Sequence, residues 1–401
     1  MSTPITNDDR LQAAGLLLDD FLLDTGVVGN ELPRRYLWTD AFAVCTLLGL
    51  DEAGLEPGIE GVESYRVLAL ELVNQVHHVL GRHREDDPRD GWISGLAEDE
   101  GEKHPTAGGL RIGKPLPERG PGDPVDASLE WQRDGQYFHY LTKWMHALRR
   151  VGAVEQDATY AAWAVELAKA AYRGCVHHAP GGGWRLYWKT SIDLSRPQVS
   201  ATGQHDPLDG YITYRTLTAR GTPAGGEEHF GLQEEIAGLG RMAGLDEGAS
   251  RWATDDPLGL GGLFTDAYRV AELRANGAAV AEGLLASLLT AAGKGLTAYR
   301  SSRALDHPPA QRLPFRELGL SIGFHALERL GSLLTVGGLP GVTAEVGERL
   351  GYLLESRDMA RRIEATWMDS EHRGAETWRG HADINAVMLA TSLAPRGYLD
   401  L

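Results

Sequence analysis

The chain is poor in cysteine and in positive charge, and each shortage excludes a class of protein. Its 401 residues include only two cysteines, Cys45 and Cys175, which can build neither a disulfide framework nor a thiolate metal cage. Lysine and arginine number 39 against 56 aspartates and glutamates, so the net charge is −17 at pH 7. Such an acidic chain repels nucleic acid phosphates and anionic lipids, and we expect neither as a main partner.

Hydrophobic segments that act as membrane or secretion signals are also scarce. The longest apolar run, "GLLASLLTAAG" at 283–293, is too short to span a bilayer. The opening "MSTPITNDDRLQ" has no basic region followed by an apolar one, as a secretory signal would have. We therefore expect a cytoplasmic protein without a membrane partner.

Histidines are present in number but not in metal-ligand spacing. The stretches "VHHVLGRH" and "CVHH" lack carboxylate or thiolate partners at ligand distance along the chain, and no H-E-x-x-H motif occurs. The glycine-rich stretches do not form a phosphate-binding loop followed by a helix. The sequence predicts neither a metal nor another cofactor, and it does not determine the oligomeric state.

Helical periodicity dominates what is present, and about a dozen segments carry it. Most of them end at one of the 50 glycines, which suits helix C-termini. We expect an all-α, single-domain (α/α)6 toroid over residues 1–401, made of about six helical hairpins; an irregular α-solenoid is the alternative. The best strand-like text is at 184–192, as one arm of a hairpin. The predicted helices are 8–24, 36–49, 61–83, 133–151, 157–177, 207–219, 229–243, 262–275, 277–292, 313–333, 343–356, 357–370 and 381–393.

Residues 84–130 are rich in glycine, proline and charge and show no helical period. A long connection of this kind within a compact domain is typical of a functional loop. We expect a lid-like insertion anchored by apolar residues such as Trp92 and Leu110, although a decorated surface loop is the alternative. We expect this lid to bring basic side chains near the pocket, where they would favour an anionic substituent on the ligand; the four candidates are Lys103, His104, Arg111 and Lys114.

Three stretches place aromatic and ionisable residues where an apolar helix begins. The first is "ETWRGHADINAVMLA" at 376–390, with Trp378, Arg379, His381 and Asp383. Asp383 also suits a carboxylate that complements the positive end of the helix dipole. In a toroid the starts of the inner helices meet at one mouth, so we expect these side chains to face a pocket there.

The second stretch is "RRYLWTDAFAV" at 34–44, and the third is "SATGQHDPLDGYITYRTL" at 200–217. Trp38 and Asp40 open the helix of the second stretch, where Asp40 is also a possible N-cap. In the third stretch His205, Asp206 and Asp209 lie in a loop that runs into a helix. Asp206 there is either an N-cap or a general acid on a loop stiffened by proline.

These stretches resemble the helix-start motifs of six-hairpin glycosidases, the clan of processing α-glucosidases, trehalases and mannosylglycerate hydrolases. "TWRGHADIN" is similar to the segment before their last inner helix, "WTDAF" to an earlier opening, and "ATGQHDPLDG" to the loop that carries their catalytic acid. The chain has Thr39 where the family usually has arginine and His381 where it usually has proline.

The resemblance implies a glycoside hydrolase-like enzyme that binds a small carbohydrate and uses general acid/base catalysis. Asp206 or His205 would be the proton donor, and Asp383 or Glu376 the base. Trp38 and Trp378 would stack on the sugar, while other side chains bind its hydroxyls or substituents. The further substrate-binding candidates are Asp40, Tyr137, His139, Asp209, Glu376 and Arg379.

Two other functions are compatible with the sequence. N-acylglucosamine 2-epimerases use the same toroid and paired histidines, and His205 with His381, or His139 with His146, would supply such a pair. The helix that carries His139 and His146 also suits a plain amphipathic helix with a solvated basic stripe. A non-catalytic toroid that serves as a binding or scaffold protein is the remaining alternative.

Overall fold

The computed structural model describes residues 6–179, 181–219, 231–245, 249–337 and 343–401, and 63% of these described residues are helical. Strands are confined to two antiparallel two-stranded sheets in the described ranges. The prediction of an all-α protein with more than half of its residues in helices is confirmed, while the closed (α/α)6 ring stays a prediction. No helix in these ranges is long and apolar enough to cross a membrane.

The helices and strands follow one another along the chain with few long gaps. Up to residue 243 the helices are α1 (Asn7–Asp24), α2 (Leu37–Glu52), α3 (Tyr65–Leu80), α4 (Glu98–Lys103), α5 (Ala127–Glu130), α6 (Phe138–Glu155), α7 (Ala158–Cys175), α8 (Asp206–Leu217) and α9 (Gln233–Ala243). They are followed by α10 (Pro257–Ala275), α11 (Leu284–Ser302), α12 (Pro314–Gly337), α13 (Ala344–Leu354), α14 (Asp358–Met368), α15 (Ser370–Arg373), α16 (Glu376–Arg379), α17 (Ala382–Leu393) and α18 (Arg396–Leu399). The strands are β1 (Gln136–Tyr137), β2 (Val176–His178), β3 (Trp184–Leu186) and β4 (Lys189–Thr190).

Most predicted helices begin and end within a few residues of the observed ones, and one prediction is wrong. Helix 277–292 was placed too early, because α11 begins at Leu284. Gly277 and Gly283 have φ values of +74° and +71°, a conformation that favours glycine and interrupts a helix. The apolar periodicity of this region therefore belongs to α11 alone.

The strand-like text at 184–192 divides between two pairings. β3 forms a hairpin arm with β2, in which His177 lies opposite Arg185. β4 pairs instead with β1, so that Tyr137 lies opposite Lys189. The predicted hairpin is therefore confirmed for the first half of the stretch, and the second half fixes the chain that precedes α6.

Contacts between residues divide the chain into two compact units. The first unit comprises Met1–Phe21, Thr46–Tyr65 and Leu245–Leu401, and the second comprises Leu22–Cys45 and Arg66–Gly244. The expectation that residues 1–401 form one toroid domain with an insertion at 84–130 stays a prediction.

The second unit is centred on α6, which packs on α7 and α8. Trp144 of α6 is fully buried and donates its indole N–H to Nε2 of His77 at 3.2 Å. Burial lowers the pKa of His77 to about 3, so its ring is a neutral acceptor. The alternative of a solvated basic stripe on α6 is wrong, because His146 and Arg150 of that stripe are only 3% and 5% exposed. Helix α6 is therefore not a plain amphipathic surface helix.

The first unit is centred on α12, which packs on α10, α14 and α17. Glu364 of α14 is buried among these helices, and it accepts hydrogen bonds from Arg10 at 2.5 and 2.9 Å and from Ser392 at 2.8 Å. His325 of α12 lies 2.8 Å from the same carboxylate. Although burial opposes it, hydrogen bonding from His325 and Arg10 lowers the pKa of Glu364 to about 2.

Helices α10 and α12 meet through glycines. A Cβ added to Gly261 would lie 2.1 Å from the carbonyl oxygen of Gly319, and one added to Gly323 would lie 2.7 Å from Cα of Gly261. Neither contact leaves room for a methyl group. The separation of the two helix backbones therefore depends on these three glycines.

Gly261→Ala should lower the free energy of unfolding by about 1–3 kcal/mol, because the added methyl group forces α10 away from α12. Gly262→Ala is the matched control on the same helix: it is exposed and a Cβ there has no described neighbour within 4 Å. This control should raise stability by roughly 0.5–1 kcal/mol, since alanine loses less backbone entropy on helix formation. Urea denaturation of both variants measures the difference, and equal effects would contradict the glycine contact.

Candidate active site

Aromatic rings gather at the start of α6 in the second unit. Tyr137 directly precedes the helix in an extended conformation, and its ring lies parallel to that of Trp188, with centroids 5.2 Å apart and an interplanar angle of 1°. His139 stacks on Tyr137 at 5.6 Å, and Tyr140 meets Tyr137 edge-on at 5.0 Å. The β1–β4 pairing produces this arrangement, because it also joins the Phe138 N–H to the Trp188 carbonyl at 3.0 Å.

The start of α2 extends the same group of rings. The hydroxyls of Tyr36 and Tyr140 share a hydrogen bond of 2.6 Å, and the ring of Trp38 lies 6.4 Å from that of Tyr140 and 4.7 Å from that of Phe42. Trp38 is 6% exposed, so most of its surface is already covered. We call the following residues the aromatic cluster: Tyr36, Trp38, Tyr137, His139, Tyr140 and Trp188.

Asp40, predicted to bind substrate, fixes the chain that carries Tyr36. It is 1% exposed, and its carboxylate accepts a hydrogen bond from the Tyr36 N–H at 2.9 Å. The Arg35 guanidinium lies 3.5 Å away. This is the behaviour of a capping acid at a helix start, and direct contact between Asp40 and a substrate stays a prediction.

Asp206 opens α8, where Pro207 occupies the first turn. The residue is half-buried, but its Oδ2 atom is shielded from solvent and has no hydrogen-bond partner among the described residues. Burial, reinforced by the charge of Asp209 and opposed by Lys143, raises the pKa of Asp206 to about 7. A Cβ on Gly203 would lie 2.3 Å from Cγ of Asp206, so the preceding loop presses directly on this carboxyl group.

Asp209 lies one turn further along α8 and has different surroundings. Its Oδ1 accepts a hydrogen bond from Nζ of Lys143 at 2.6 Å, and its Oδ2 accepts one from the Thr142 hydroxyl at 2.5 Å. Both donors belong to α6, so the packing of α6 on α8 holds this group. The site therefore contains one carboxyl group with strong charge-assisted hydrogen bonds and one without hydrogen bonding at its shielded oxygen.

His139 shares the electrostatic surroundings of this pair of carboxyl groups. Burial, together with the positive charge of Lys143 and against the charge of Asp209, lowers the pKa of His139 to about 4. Its Nδ1 atom is shielded from solvent and has no hydrogen-bond partner in the described part of the chain. His205 is the N-cap residue of α8 and uses no side-chain capping bond, while its carbonyl accepts the N–H of Asp209 at 2.9 Å.

The segment 84–130 is anchored as predicted by apolar residues, and also by a buried ion pair. Trp92 and Leu110 are 2% and 0% exposed. Arg111 donates to Asp134 at 2.6 Å, and Asp134 also accepts the N–H groups of Gly113 at 3.0 Å and Lys114 at 3.2 Å. Arg111 therefore holds the segment in place, and its predicted contact with a ligand stays a prediction.

The other three basic candidates of this segment lie in different places. Lys103 pairs with Glu100 at 2.8 Å on α4, and His104 pairs with Glu166 of α7. Lys114 lies with its Nζ atom 5.1 Å from the centre of the Tyr36 ring. Of the four basic candidates, Lys114 thus contacts the aromatic cluster through the Tyr36 ring.

The C-terminal candidates belong to the first unit. Trp378 lies in the short helix α16, which precedes α17 and contacts it. Its ring is 7% exposed and stacks on Trp367 at 5.8 Å. His381 is the N-cap residue of α17, and its ring meets Phe315 at 5.7 Å.

Glu376 and Arg379 of α16 are exposed, and Asp383 in the first turn of α17 is half-buried. The convergence of these C-terminal residues with Asp40, His205 and Asp206 on one cavity stays a prediction. Within the second unit, the structure brings together Trp38, Tyr137, His139, Asp206 and Asp209 through shared neighbours.

Sequence reasoning missed three of the residues that build this site: Tyr36, Lys143 and Trp188. Tyr36 directly precedes the "WTDAF" motif, and Lys143 shares a helix face with His139. Trp188 lies in the strand-like stretch. No group of three or more histidine, cysteine, aspartate or glutamate side chains in the described ranges is arranged to hold a metal ion.

Comparison with known protein families and with curated proteins finds no match to the chain.

Asp134→Asn should lower the free energy of unfolding by about 3–5 kcal/mol, because it leaves the buried Arg111 guanidinium without a charged partner. Asp86→Asn is the control: Asp86 pairs with Arg84 at 2.6 Å, but its side chain is 51% exposed, so the loss should stay below about 1 kcal/mol. Chemical denaturation measures both. A loss of unfolding free energy for Asp134→Asn as small as that of the control would show that the Arg111–Asp134 ion pair does not anchor the segment.

Wild-type protein should lose stability relative to Asp206→Asn as pH rises from 4 to 7. The pKa of Asp206 is about 7 in the folded protein against an ordinary value of 3.8, so in this window the folded state holds a proton that the unfolded state has released. The difference in free energy of unfolding should grow by on the order of 3 kcal/mol and level off above pH 7. A difference that is constant from pH 4 to pH 8 would show that Asp206 titrates normally.

Proposed function

We propose that the chain is a carbohydrate-active enzyme that cleaves a glycosidic bond in a small sugar derivative, with Asp206 as the proton donor. The observation that carries this proposal is the shielded Asp206 carboxyl, which has no hydrogen-bond partner at Oδ2 among the described residues and a pKa of about 7. A carboxylic acid that keeps its proton near neutral pH can pass it to a leaving oxygen. A capping aspartate would instead accept backbone N–H groups, as Asp157 does from Thr159 at the start of α7.

The second carboxyl group has the opposite character, as glycoside hydrolysis requires. The ammonium of Lys143 and the hydroxyl of Thr142 bind both oxygens of Asp209, an environment suited to a carboxylate. We propose that Asp209 keeps Asp206 protonated in the free site and stabilises positive charge that develops on the sugar ring. Glu376 and Asp383 remain the predicted bases for activating water.

The aromatic cluster supplies a surface suited to a sugar. Tyr137, His139 and Trp188 present nearly parallel rings, and Trp188 is only half-buried. Binding sites for small molecules commonly combine aromatic walls with a few polar groups of defined position. The faces of a pyranose ring are apolar enough to pack on such walls, while its hydroxyls reach the polar groups.

A sugar epimerase is the second candidate, and His139 is the observation that favours it. Its Nδ1 atom has no hydrogen-bond partner within the described ranges, and its low pKa of about 4 keeps the imidazole neutral. A neutral imidazole and a protonated carboxyl that both interact with Lys143 and Asp209 would supply the base and the acid that proton transfer at a carbon next to a carbonyl needs. His146 is buried in α6, so the acid partner in this version would be Asp206.

The test is hydrolysis of a panel of aryl glycosides by wild-type protein and Asp206→Asn. With 4-nitrophenyl glycosides, or with natural glycosides whose leaving oxygen needs a proton, the substitution should lower turnover by ~10² or more. With 2,4-dinitrophenyl glycosides the loss should be much smaller, because that leaving group departs without protonation. This dependence on the leaving group is specific to a proton donor.

Asp157→Ala is the control for a purely capping aspartate. It should lower the free energy of unfolding by about 1 kcal/mol and leave turnover unchanged. Failure of the wild-type protein to hydrolyse any of the aryl glycosides would contradict the hydrolase. Conversion of a free sugar to its epimer by the same preparations would identify the second candidate. Equal turnover by wild type and Asp206→Asn would contradict the role of Asp206.

A further inference from the structure

The basic side chains of residues 84–130 differ in one respect that the sequence does not reveal. All but one of them have a carboxylate partner within ion-pair distance. The paired residues are Arg84 with Asp86, Arg89 with Asp87, Lys103 with Glu100, His104 with Glu166, Arg111 with Asp134, and Arg119 with Glu130. Lys114 is the exception: no carboxylate in the described part of the chain lies within 4.0 Å of its Nζ atom.

An unpaired ammonium is the exception in this segment, where the other basic side chains all have carboxylate partners. Acidic residues outnumber lysine and arginine by 56 to 39, so a surface lysine has many carboxylates within reach. Lys114 is half-buried, and its Nζ atom lies over the Tyr36 ring. A cation on an aromatic face gains some electrostatic energy, but its three N–H groups remain able to bind an acceptor.

Hydrogen bonds and close packing hold the backbone at Lys114 in place, and they thereby fix the point from which its side chain extends. The Lys114 N–H donates to the buried Asp134 carboxylate at 3.2 Å, and its carbonyl accepts from Arg84 at 2.7 Å. Gly113 has φ +91°, and a Cβ there would lie 2.1 Å from the carbonyl oxygen of Arg35. Gly113, which precedes Lys114, is therefore packed against Arg35, the residue that precedes Tyr36.

Tyr36 connects this ammonium to the candidate active site. Its hydroxyl hydrogen-bonds to that of Tyr140, and the Tyr140 ring packs edge-on against His139 at 4.7 Å. The ammonium therefore stands at one end of the aromatic cluster. Two other lysines of this region already have carboxylate partners: Lys143 is bound to Asp209, and Lys189, which lies over the Tyr137 ring, is paired with Glu130.

We infer that Lys114 is the specificity-determining residue of this site and that it binds an anionic substituent of the sugar, a carboxylate or a phosphate. This inference rests on the proposed function. A uronic acid or a sugar phosphate supplies oxygens that can accept two or three N–H bonds from one ammonium. Such a substrate also brings negative charge to the one place in the segment where positive charge is not already neutralised.

The test compares dissociation constants for matched neutral and anionic sugars, measured by calorimetry on the full chain. The probes are glucose, glucuronate and glucose 6-phosphate, together with the corresponding three forms of galactose and of mannose. Inorganic phosphate serves as an anion without a sugar. Wild-type protein should bind an anionic member about tenfold more tightly than its neutral counterpart, as one hydrogen-bonded charge contributes. Lys114→Gln should abolish this preference, and Lys114→Arg should keep most of it.

Lys103→Gln is the matched control, because Lys103 lies in the same segment but is paired with Glu100; it should bind like the wild type. Sugar binding with no preference for the anionic member, or a preference that Lys114→Gln leaves intact, would overturn the role of Lys114 and leave the carbohydrate function standing. Binding of inorganic phosphate without binding of any sugar would overturn both. Melting temperatures of all variants, compared with the wild type, confirm that each one folds.

Discussion

The carboxylate of Asp134 is completely buried, and four groups of the segment 84–130 bind it: the Arg111 guanidinium, the N–H groups of Gly113 and Lys114, and the Arg84 guanidinium at 3.5 Å. A buried charge is stable only while its hydrogen bonds are complete, so the path of the chain from Arg111 to Lys114 has little freedom. The residues that follow Asp134 form β1, which pairs with β4 and sets Trp188 over Tyr137. Both ends of the aromatic cluster therefore depend on the position of this one side chain.

Charge compensation separates the residues that hold the fold from those that are available for chemistry. Glu364 in the first unit is buried and accepts hydrogen bonds from Arg10 and Ser392, with His325 beside it; the bonds outweigh the burial, and its pKa falls to about 2. Asp206 is also shielded but lacks comparable donors, and its pKa rises to about 7. One of these carboxyl groups is thus strongly acidic while the other keeps its proton up to about neutral pH, and the difference lies in the donors that surround them.

The sequence predicted most of the helices because apolar periodicity and glycine at helix ends are local signals. It also indicated that Asp206 lies at a helix start, since an acid directly before proline is visible in a short stretch; its role as a proton donor stays a prediction. Trp188 was missed because a pairing of two-residue strands across some fifty positions leaves no pattern along the chain. Lys143 was not recognised as part of the site because its partner, Asp209, lies on another helix. The arrangement of the C-terminal candidates relative to the others depends on packing in the same way, and it stays a prediction.

The usual order of acid strength between a carboxylic acid and an imidazole is inverted in this site. In water an aspartate releases its proton well before a histidinium does, yet here Asp206 has a pKa of about 7 and His139 one of about 4. Between these two values the proton belongs to the carboxyl group, and both side chains are uncharged. A ligand that enters over this range meets a neutral donor and a neutral acceptor, so that proton transfer between them would create two charges at once in a shielded place.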